Sequence, residues 1–263
     1  MSQPRVLIIR APGTNCDVEA AFAFSRAGGV PETLHINRVL ENTRLVDEFE
    51  ILCFPGGFSY GDDIAAGRIQ ANQIRFHLAD ALQKFKAADK LILGICNGFQ
   101  VLIKSGILLE NAPAASASAP AATLVGNASG RFEDRWVRLK ADGAKCVFLA
   151  GIDAMYLPVA HAEGKFVARD RPTLDALAAA GQLVLRYAAA TGLASGPAPY
   201  PDNPNGSLAD VAGVCDATGR VCGLMPHPER YIERTQHPRW TRGEGAEEGD
   251  GLRVFRNAVG YFQ

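Results

Sequence analysis

Short, unbroken runs of apolar residues mark the first half of the chain. Three of them are Val6–Ile9, Ile51–Phe54 and Leu91–Leu93. Such runs are typical of parallel strands that are buried on both faces of a sheet. A helical pattern of small residues predicts a helix over Asp17–Ala27, and apolar residues at helical spacing predict another over Ile69–Lys86. Both lie between these strands. The alternation of strands and helices predicts a parallel sheet covered by helices on both faces.

The second half of the chain contains more strand-like segments than helical ones. Ala217–Arg220 lies between two apolar runs and predicts an antiparallel hairpin. We therefore predict an α/β fold with one domain over residues 1–263. Its open, mostly parallel central sheet is flanked by helices, and a small antiparallel section lies in the second half. The other predicted elements are strands at Leu34–Asn37, Trp136–Leu139, Val147–Leu149, Tyr156–Ala160, Leu183–Tyr187, Val211–Asp216 and Val221–Met225, helices over Thr173–Ala180 and around Leu252, Phe255, Val259 and Phe262, and loops at Asn111–Ala122 and Thr235–Gly251.

Composition indicates the location and the partners of the protein more clearly than its activity. The 263 residues are 48% hydrophobic and carry a formal net charge of −1, so we expect neither a nucleic-acid partner nor a membrane. The six cysteines form no Cys-x-x-Cys pair and match no zinc-binding spacing, so we predict no metal site. No segment resembles a signal peptide or a membrane span, and we expect a reducing, cytoplasmic location.

Cys96 is the strongest candidate for a reactive residue. It follows an apolar run within Gly94-x-Cys96-x-Gly98, a nucleophile-elbow pattern with cysteine in place of serine. The glycines let a strand turn into a helix where a Cβ atom would clash. The thiol then lies at a helix N-terminus, where the helix dipole and the free N–H groups favour a thiolate. The alternative is a structural cysteine that is buried after a strand.

The segment Pro226-His227-Pro228-Glu229 offers a base for this nucleophile. A cysteine nucleophile needs a base, and the base needs a group that orients it. The prolines favour extended backbone, in which residues i and i+2 face the same side. We therefore expect His227 and Glu229 to point together into one site at a strand end, where open α/β sheets place ligands. The alternative is a turn histidine between two prolines.

The loop Pro55-Gly56-Gly57-Phe58 follows another buried strand. Glycines there allow backbone N–H groups to face a ligand without obstruction. We expect this loop to supply one donor to an oxyanion hole and the N–H group of Asn97 to supply the other. A simple turn is the alternative explanation of the two glycines.

These motifs, in this order, resemble the triad class of glutamine amidotransferase domains. Further segments are similar to one family within it, the glutaminase subunits of phosphoribosylformylglycinamidine synthase, and together they cover most of the chain. The similar segments are Gly13-Thr14-Asn15-Cys16-Asp17, Gly56-Gly57-Phe58-Ser59-Tyr60-Gly61-Asp62-Asp63, Cys96-Asn97-Gly98-Phe99-Gln100, Pro158-Val159-Ala160-His161-Ala162-Glu163-Gly164, Asn203-Pro204-Asn205-Gly206-Ser207 and Met225-Pro226-His227-Pro228-Glu229-Arg230.

The resemblance implies a flavodoxin-like fold of the class I amidotransferases and a glutaminase activity. It implies that Cys96 is the nucleophile, that His227 is the base and acid, and that Glu229 orients His227. The residues implied or expected at the glutamine and the oxyanion are Gly56, Gly57, Phe58, Asn97, Gln100 and His161. An exposed helix residue is the alternative for Gln100, and a hydrogen-bonded structural residue is the alternative for His161.

The resemblance also implies partners. Ammonia released from glutamine would pass to a large synthetase subunit, with a small bridging subunit as an open question. That synthetase would use ATP and magnesium to convert formylglycinamide ribonucleotide to the amidine in purine biosynthesis. We expect no cofactor on this chain, which has no Walker-type phosphate loop. We expect it to act as a free-standing subunit of the complex.

Three other functions remain open at this point. The first is a glutaminase that serves a different amide-transfer pathway, although the Gly-Phe-Ser-Tyr-Gly-Asp and His-x-Glu-Gly segments argue against it. The second is a non-catalytic or redox-sensing protein with an elbow cysteine, which would have no need for the Pro-His-Pro-Glu segment. The third is a regulatory binding module that keeps the pocket without turnover.

Overall fold

The computed structural model describes residues 3–109, 120–189 and 197–263. Within these ranges nine strands form one sheet, and two more form a small second sheet. The strands are β1 (Arg5–Arg10), β2 (Val30–His35), β3 (Ile51–Phe54), β4 (Leu91–Ile95), β5 (Ala122–Val125), β6 (Glu133–Ala141), β7 (Ala154–His161), β8 (Lys165–Ala168), β9 (Leu185–Ala188), β10 (Val211–Cys215) and β11 (Val221–Leu224). The α-helices are α1 (Asp17–Arg26), α2 (Ile36–Glu41), α3 (Arg68–Gln73), α4 (Ala79–Ala87), α5 (Asn97–Ser105), α6 (Arg171–Ala179) and α7 (Leu252–Gly260).

The large sheet joins a parallel section to an antiparallel one. Its strand order is β2-β1-β3-β4-β11-β10-β9-β6-β7. Neighbours from β2 to β11 are parallel, and neighbours from β11 to β7 are antiparallel. The predicted α/β class, the parallel sheet and the antiparallel section in the second half are confirmed. The antiparallel strands extend the same sheet, and only β5 and β8 pair apart from it among the described residues.

The apolar runs of the sequence become the centre of the molecule. Every residue of β3 and β4 is buried, which explains why these strands show no polar alternation. Helices pack around the sheet, and the rings of Phe24 in α1 and Phe255 in α7 meet edge to face with their centroids 4.9 Å apart. The predicted C-terminal amphipathic helix is therefore confirmed as α7, and the predicted hairpin is confirmed as the antiparallel pair β10–β11.

Two short predicted strands are wrong in whole or in part. Val147–Leu149 forms a 3₁₀ helix, because the apolar run reflects burial and three residues carry too little pattern to separate helix from strand. The predicted strand Leu34–Asn37 ends at His35. The Nδ1 atom of His35 accepts the N–H group of Asn37 at 3.2 Å and caps α2.

Longer predicted segments are interrupted. The helical pattern over Ile69–Lys86 is realised as α3, a π-helical turn at Ile74–Leu78, and α4. Thr235–Gly251 is mostly irregular, as expected, with a 3₁₀ turn at Trp240–Arg242. The predicted loop Asn111–Ala122 lies mainly outside the described residues, and Ala122 itself begins β5. Among the residues described, no helix has the length and apolar character needed to cross a membrane.

Candidate active site

Cys96 lies at a sharp turn between β4 and α5, as the elbow pattern predicts. Its backbone adopts φ +50° and ψ −105°, a conformation that is rare for a residue with a Cβ atom. A Cβ atom on Gly98 would collide with the carbonyl oxygen of Phe54, and one on Gly94 would lie 2.6 Å from Cδ1 of Leu102. Both glycines are therefore required for the close packing of α5 on the sheet.

Neighbouring parallel strands bring the cysteine and the histidine to the same edge of the sheet. In the pairing of β4 with β11, Ile95 lies opposite Leu224. The N–H group of Cys96 donates to the carbonyl oxygen of Leu224 at 2.7 Å, and the N–H group of His227 donates to that of Pro158 at 2.9 Å. Cys96 and His227 are far apart in the sequence, but each lies just beyond the end of one of two neighbouring strands, at the same edge of the sheet.

His227 and Glu229 form a buried pair. The Nδ1 atom of His227 lies 2.6 Å from Oε1 of Glu229, and both side chains are almost fully buried. The predicted reason for this contact is wrong in part: Pro228–Arg230 is a 3₁₀ turn, not an extended segment, and the turn folds the carboxylate back onto the imidazole. Because Nδ1 is occupied, Nε2 is the nitrogen left for a reacting group, and it is buried without a hydrogen-bond partner in the described structure.

The surroundings of His227 favour its charged form. Burial alone would lower its pKa, but the carboxylate of Glu229 and then the sulfur of Cys96 outweigh burial and raise the pKa of His227 well above its ordinary value. The thiol hydrogen of Cys96 has an acceptor as well, the carbonyl oxygen of Ala160, 3.6 Å from Sγ.

The loop at Gly56 and Gly57 lies directly against the imidazole of His227. A Cβ atom on Gly56 would lie 2.7 Å from Cε1 of His227, so glycine is needed for the imidazole to approach. The carbonyl oxygen of Gly56 accepts the N–H group of Cys16 at 3.2 Å, and the N–H group of Phe58 donates to the carbonyl oxygen of Gly13 at 2.9 Å. The N–H group of Phe58 is therefore used within the loop, and the oxyanion donor expected from this loop stays a prediction.

Asn97 and Gln100 tie the elbow helix to two loops. The side chain of Asn97 accepts the N–H group of Ser59 at 3.1 Å and donates to Oε1 of Gln100 at 2.9 Å. Gln100 in turn donates from Nε2 to the carbonyl oxygen of Glu163 at 2.5 Å. Gln100 is 3% exposed, which excludes the alternative of an exposed helix residue. The backbone N–H group of Asn97 belongs to the first turn of α5, where N–H groups have no acceptor within the helix.

His161 is a second buried histidine of the site. Its Nδ1 atom lies 3.1 Å from Oδ1 of Asn127, which also accepts the N–H group of Gly164 at 3.0 Å. The Nδ2 atom of Asn127 donates to two carbonyl oxygens, so Oδ1 is the acceptor and Nδ1 of His161 carries the proton. The Nε2 atom of His161 is then an unprotonated acceptor, buried and unpaired within the described residues. Burial and then the charge of His227 lower the pKa of His161 to about 3, so this ring stays neutral.

Sequence reasoning missed the position of Cys16. Its Sγ atom lies 4.0 Å from Nδ1 of His227, and Nη2 of Arg230 donates to it at 3.0 Å. The residue belongs to a segment that carried the family resemblance, but 211 positions separate it from His227. Only the sheet order could have placed the two side chains together.

Comparison with known proteins gives the family. The model of the CobB/CobQ-like glutamine amidotransferase domain matches residues 3–262. A protein of Dehalococcoides mccartyi named phosphoribosylformylglycinamidine synthase subunit PurQ is 46% identical over 260 residues, which cover 98% of each chain. The chain belongs to the PurQ family of glutamine amidotransferases.

Other members of the PurQ family support the same placement. A protein of Methanococcus maripaludis strain S2 with the same name is 39% identical over 269 residues, covering 98% of this chain and 97% of its own. The solved structure described as PurLQS from Thermotoga maritima matches over the whole of both chains, with a TM-score of 0.74 and 31% identity. These likenesses confirm the resemblance inferred from the sequence motifs, and they confirm the class I amidotransferase fold.

Proposed function

We propose that this chain is the glutaminase subunit of phosphoribosylformylglycinamidine synthase. It hydrolyses glutamine to glutamate and delivers the ammonia to a synthetase that makes formylglycinamidine ribonucleotide from formylglycinamide ribonucleotide in purine biosynthesis. The observation that carries the proposal is the convergence of Cys96, His227 and Glu229 at one sheet edge in a PurQ-family chain. The redox-sensing and pocket-only alternatives do not account for a buried histidine whose Nδ1 is held by a carboxylate.

The reaction begins with the thiol of Cys96. Its sulfur attacks the side-chain amide carbon of glutamine after the thiol proton passes to Nε2 of His227. The negative oxygen of the tetrahedral intermediate accepts hydrogen bonds from the backbone N–H groups of Gly57 and Asn97, and each such donor typically contributes about 3 kcal/mol. His227 then gives its proton to the departing nitrogen, which leaves as ammonia while a glutamyl thioester remains on Cys96.

The second half of the reaction reuses the same base. Nε2 of His227 takes a proton from water, and the resulting hydroxide attacks the thioester. The carbon–sulfur bond breaks, glutamate leaves, and the proton returns to the sulfur of Cys96. Glu229 touches no reacting atom; it holds the Nδ1 proton and stabilises the imidazolium form.

Two further residues are proposed to hold glutamine. The unprotonated Nε2 atom of His161 offers an acceptor for an N–H group of the substrate amide. Gln100 is proposed to act through its hydrogen bond to the backbone of Glu163, because this bond positions the segment that carries His161. Phe58 is proposed to line the pocket through its half-exposed ring, since its N–H group is already used.

The proposal assigns ATP, magnesium and the nucleotide substrate to the partner synthetase. It assigns ammonia transfer to a protected route between the two proteins, with or without a bridging subunit. We also propose that residues 1–263 act as one domain, which the continuous sheet supports. The six free cysteines agree with a reducing cytoplasmic location.

The decisive experiment separates ammonia production from its use. In the complex with the synthetase, Cys96→Ala should abolish glutamine-dependent synthesis and leave ammonia-dependent synthesis unchanged. Cys146→Ala, which removes a buried thiol elsewhere in the core, should retain both activities. Glutamine hydrolysis that survives in Cys96→Ala would show that the nucleophile is another residue.

The pathway needs a test of its own. Expression of the chain with its synthetase should restore growth of a purine auxotroph that lacks the glutaminase subunit. Active glutamine hydrolysis without such rescue would favour a glutaminase that serves a different acceptor.

A further inference from the structure

Cys16 brings a second thiol to the base of the site. Its Sγ atom lies 4.0 Å from Nδ1 of His227, which lies 2.6 Å from Oε1 of Glu229. One possible ligand atom from each of the three residues falls within 4.8 Å of the other two, and all three side chains are buried. The glutaminase chemistry uses His227 and Glu229 and gives Cys16 no part.

A thiolate, an imidazole and a carboxylate are the three protein donors that zinc prefers. Around a tetrahedral ion, Zn–S bonds of about 2.3 Å and Zn–N bonds of about 2.0 Å place sulfur and nitrogen about 3.5 Å apart. The observed separation of Sγ and Nδ1 therefore needs only a small shift to accept the ion. Magnesium and calcium prefer sets of oxygen atoms, so this donor set favours a zinc-class cation.

A second observation concerns the carboxylate itself. Oε2 of Glu229 is buried and has no hydrogen-bond partner within the described ranges. A buried acceptor that lacks a partner costs free energy, and it is more costly when the group is charged. A cation bound beside it would satisfy this oxygen.

The positive charge of Arg230 opposes a bound cation, but movement of its side chain would give a cation access to the site. Its Nη2 atom donates to Sγ of Cys16, so its positive charge must move before a metal ion binds. About a third of its side chain is exposed, and its guanidinium already lies 4.0 Å from the carboxylate of Glu19 at the surface. A swing of this side chain toward solvent would uncover the thiol.

We propose that Cys16, His227 and Glu229 form a binding site for Zn²⁺ and that occupation of this site switches off the glutaminase. Coordination through Nδ1 replaces the hydrogen bond to Glu229 and leaves the only imidazole proton on Nε2. In that form Nε2 cannot accept a proton from Cys96 or from water. Zinc thus lowers kcat without excluding glutamine from the pocket.

Cobalt binding tests the site without any need for turnover. In the Cys96→Ala protein, which lacks the catalytic thiol, Co²⁺ should bind one ion per chain and give the near-ultraviolet charge-transfer band of a sulfur ligand. The double variant Cys96→Ala/Cys16→Ala should lose the band, and the matched control Cys96→Ala/Cys146→Ala should keep it. A band that survives the loss of Cys16, or that disappears with Cys146, would overturn the proposal.

A second measurement needs no change at Cys16. X-ray absorption of zinc-loaded Cys96→Ala should show a single sulfur at about 2.3 Å and nitrogen or oxygen ligands at about 2.0 Å. Two or more sulfur ligands, or none, would contradict the assignment. Because both measurements use an inactive variant, their outcome does not depend on whether the proposed glutaminase reaction is correct.

Discussion

Two buried histidines of the site are equally shielded from water but have opposite electrostatic states. His227 and His161 are each 2% exposed. His227 is paired with the carboxylate of Glu229, and its pKa is raised, whereas His161 is paired with the amide of Asn127, and its pKa falls to about 3. The charge of the partner, and not the depth of burial, decides which ring can carry a proton. The fold therefore gives one buried histidine a raised pKa and the other a lowered one.

The largest expected effect on activity comes from removing His227, the proposed proton carrier. His227→Ala should reduce glutamine-dependent synthesis by about 10⁶-fold, because the proposed proton transfer to the leaving nitrogen is lost. His161→Ala should cost far less, mainly through KM, because His161 moves no proton. Steady-state kinetics of both variants in the complex would check this order, with ammonia-dependent synthesis as the control. Equal losses in kcat would show that the two rings share the proton chemistry.

Glu229→Gln makes the partner of His227 resemble that of His161. We expect a loss of about 10⁴-fold in kcat, smaller than that of His227→Ala, since an orienting hydrogen bond remains while the stabilising charge is lost. A loss as large as that of His227→Ala would argue against an orienting role.

The same variant should change how stability depends on pH. The raised pKa of His227 means that its stabilising contribution is complete below the unfolded value of 6.5 and is lost as pH rises through the folded value. Glu229→Gln should weaken this loss on the alkaline side. Urea unfolding from pH 6 to pH 9 would measure it, and an identical slope in both proteins would contradict the assignment.

Gly56→Ala tests whether the position of the His227 imidazole depends on the loop Pro55-Gly56-Gly57-Phe58. The new Cβ atom would lie 2.7 Å from the ring of His227 and displace it, so activity should fall by about 10²-fold. Gly126→Ala is the matched control, because its Cβ atom meets nothing within 4 Å and its activity should be unchanged. Kinetics and thermal unfolding of both variants would distinguish a displaced imidazole from a damaged fold.

The smallest effect on activity should come from Asn127→Asp, which gives His161 a carboxylate partner. The pKa of His161 should rise, and glutamine-dependent synthesis should fall about tenfold, chiefly through KM, because a protonated ring is no longer an acceptor. His161→Asn is a useful comparison, since it removes the titrating group altogether.

The stability of the protein in acid provides a second test of the contact between His161 and Asn127. Because the folded pKa of His161 is about 3 and its unfolded value is 6.5, the unfolded chain binds a proton in this interval that the folded chain does not. Stability present above pH 6.5 is therefore lost as pH falls toward 3. Asn127→Asp should reduce that loss, and urea unfolding between pH 4 and pH 7 would show it. A steeper acid loss in the variant would contradict the proposed tautomer and charge of His161.

The sequence itself determined the parallel strands, the elbow and the order of the catalytic motifs. Each can be seen in a short segment: β3 and β4 are unbroken apolar runs, and the glycines around Cys96 lie within five residues. The reason for these glycines, the close packing of α5 on the sheet, involves residues outside that segment. The hydrogen bond between His227 and Glu229 also spans two positions, although the 3₁₀ turn that closes it was not apparent from the prolines. The three apolar residues at Val147–Leu149 indicated burial but did not distinguish a helix from a strand, so the predicted strand is wrong.

Only the tertiary structure placed Cys16 beside His227, and only it gave His161 the amide of Asn127 as a partner. These contacts depend on which strands are neighbours in the sheet, and periodicity along the chain records burial but not neighbours. The protonation states follow from the same contacts, because the pKa of a buried ring is set by groups that lie far away in sequence. The sequence thus indicates the residues proposed to react, while the fold decides the charge and the hydrogen-bond partners of each.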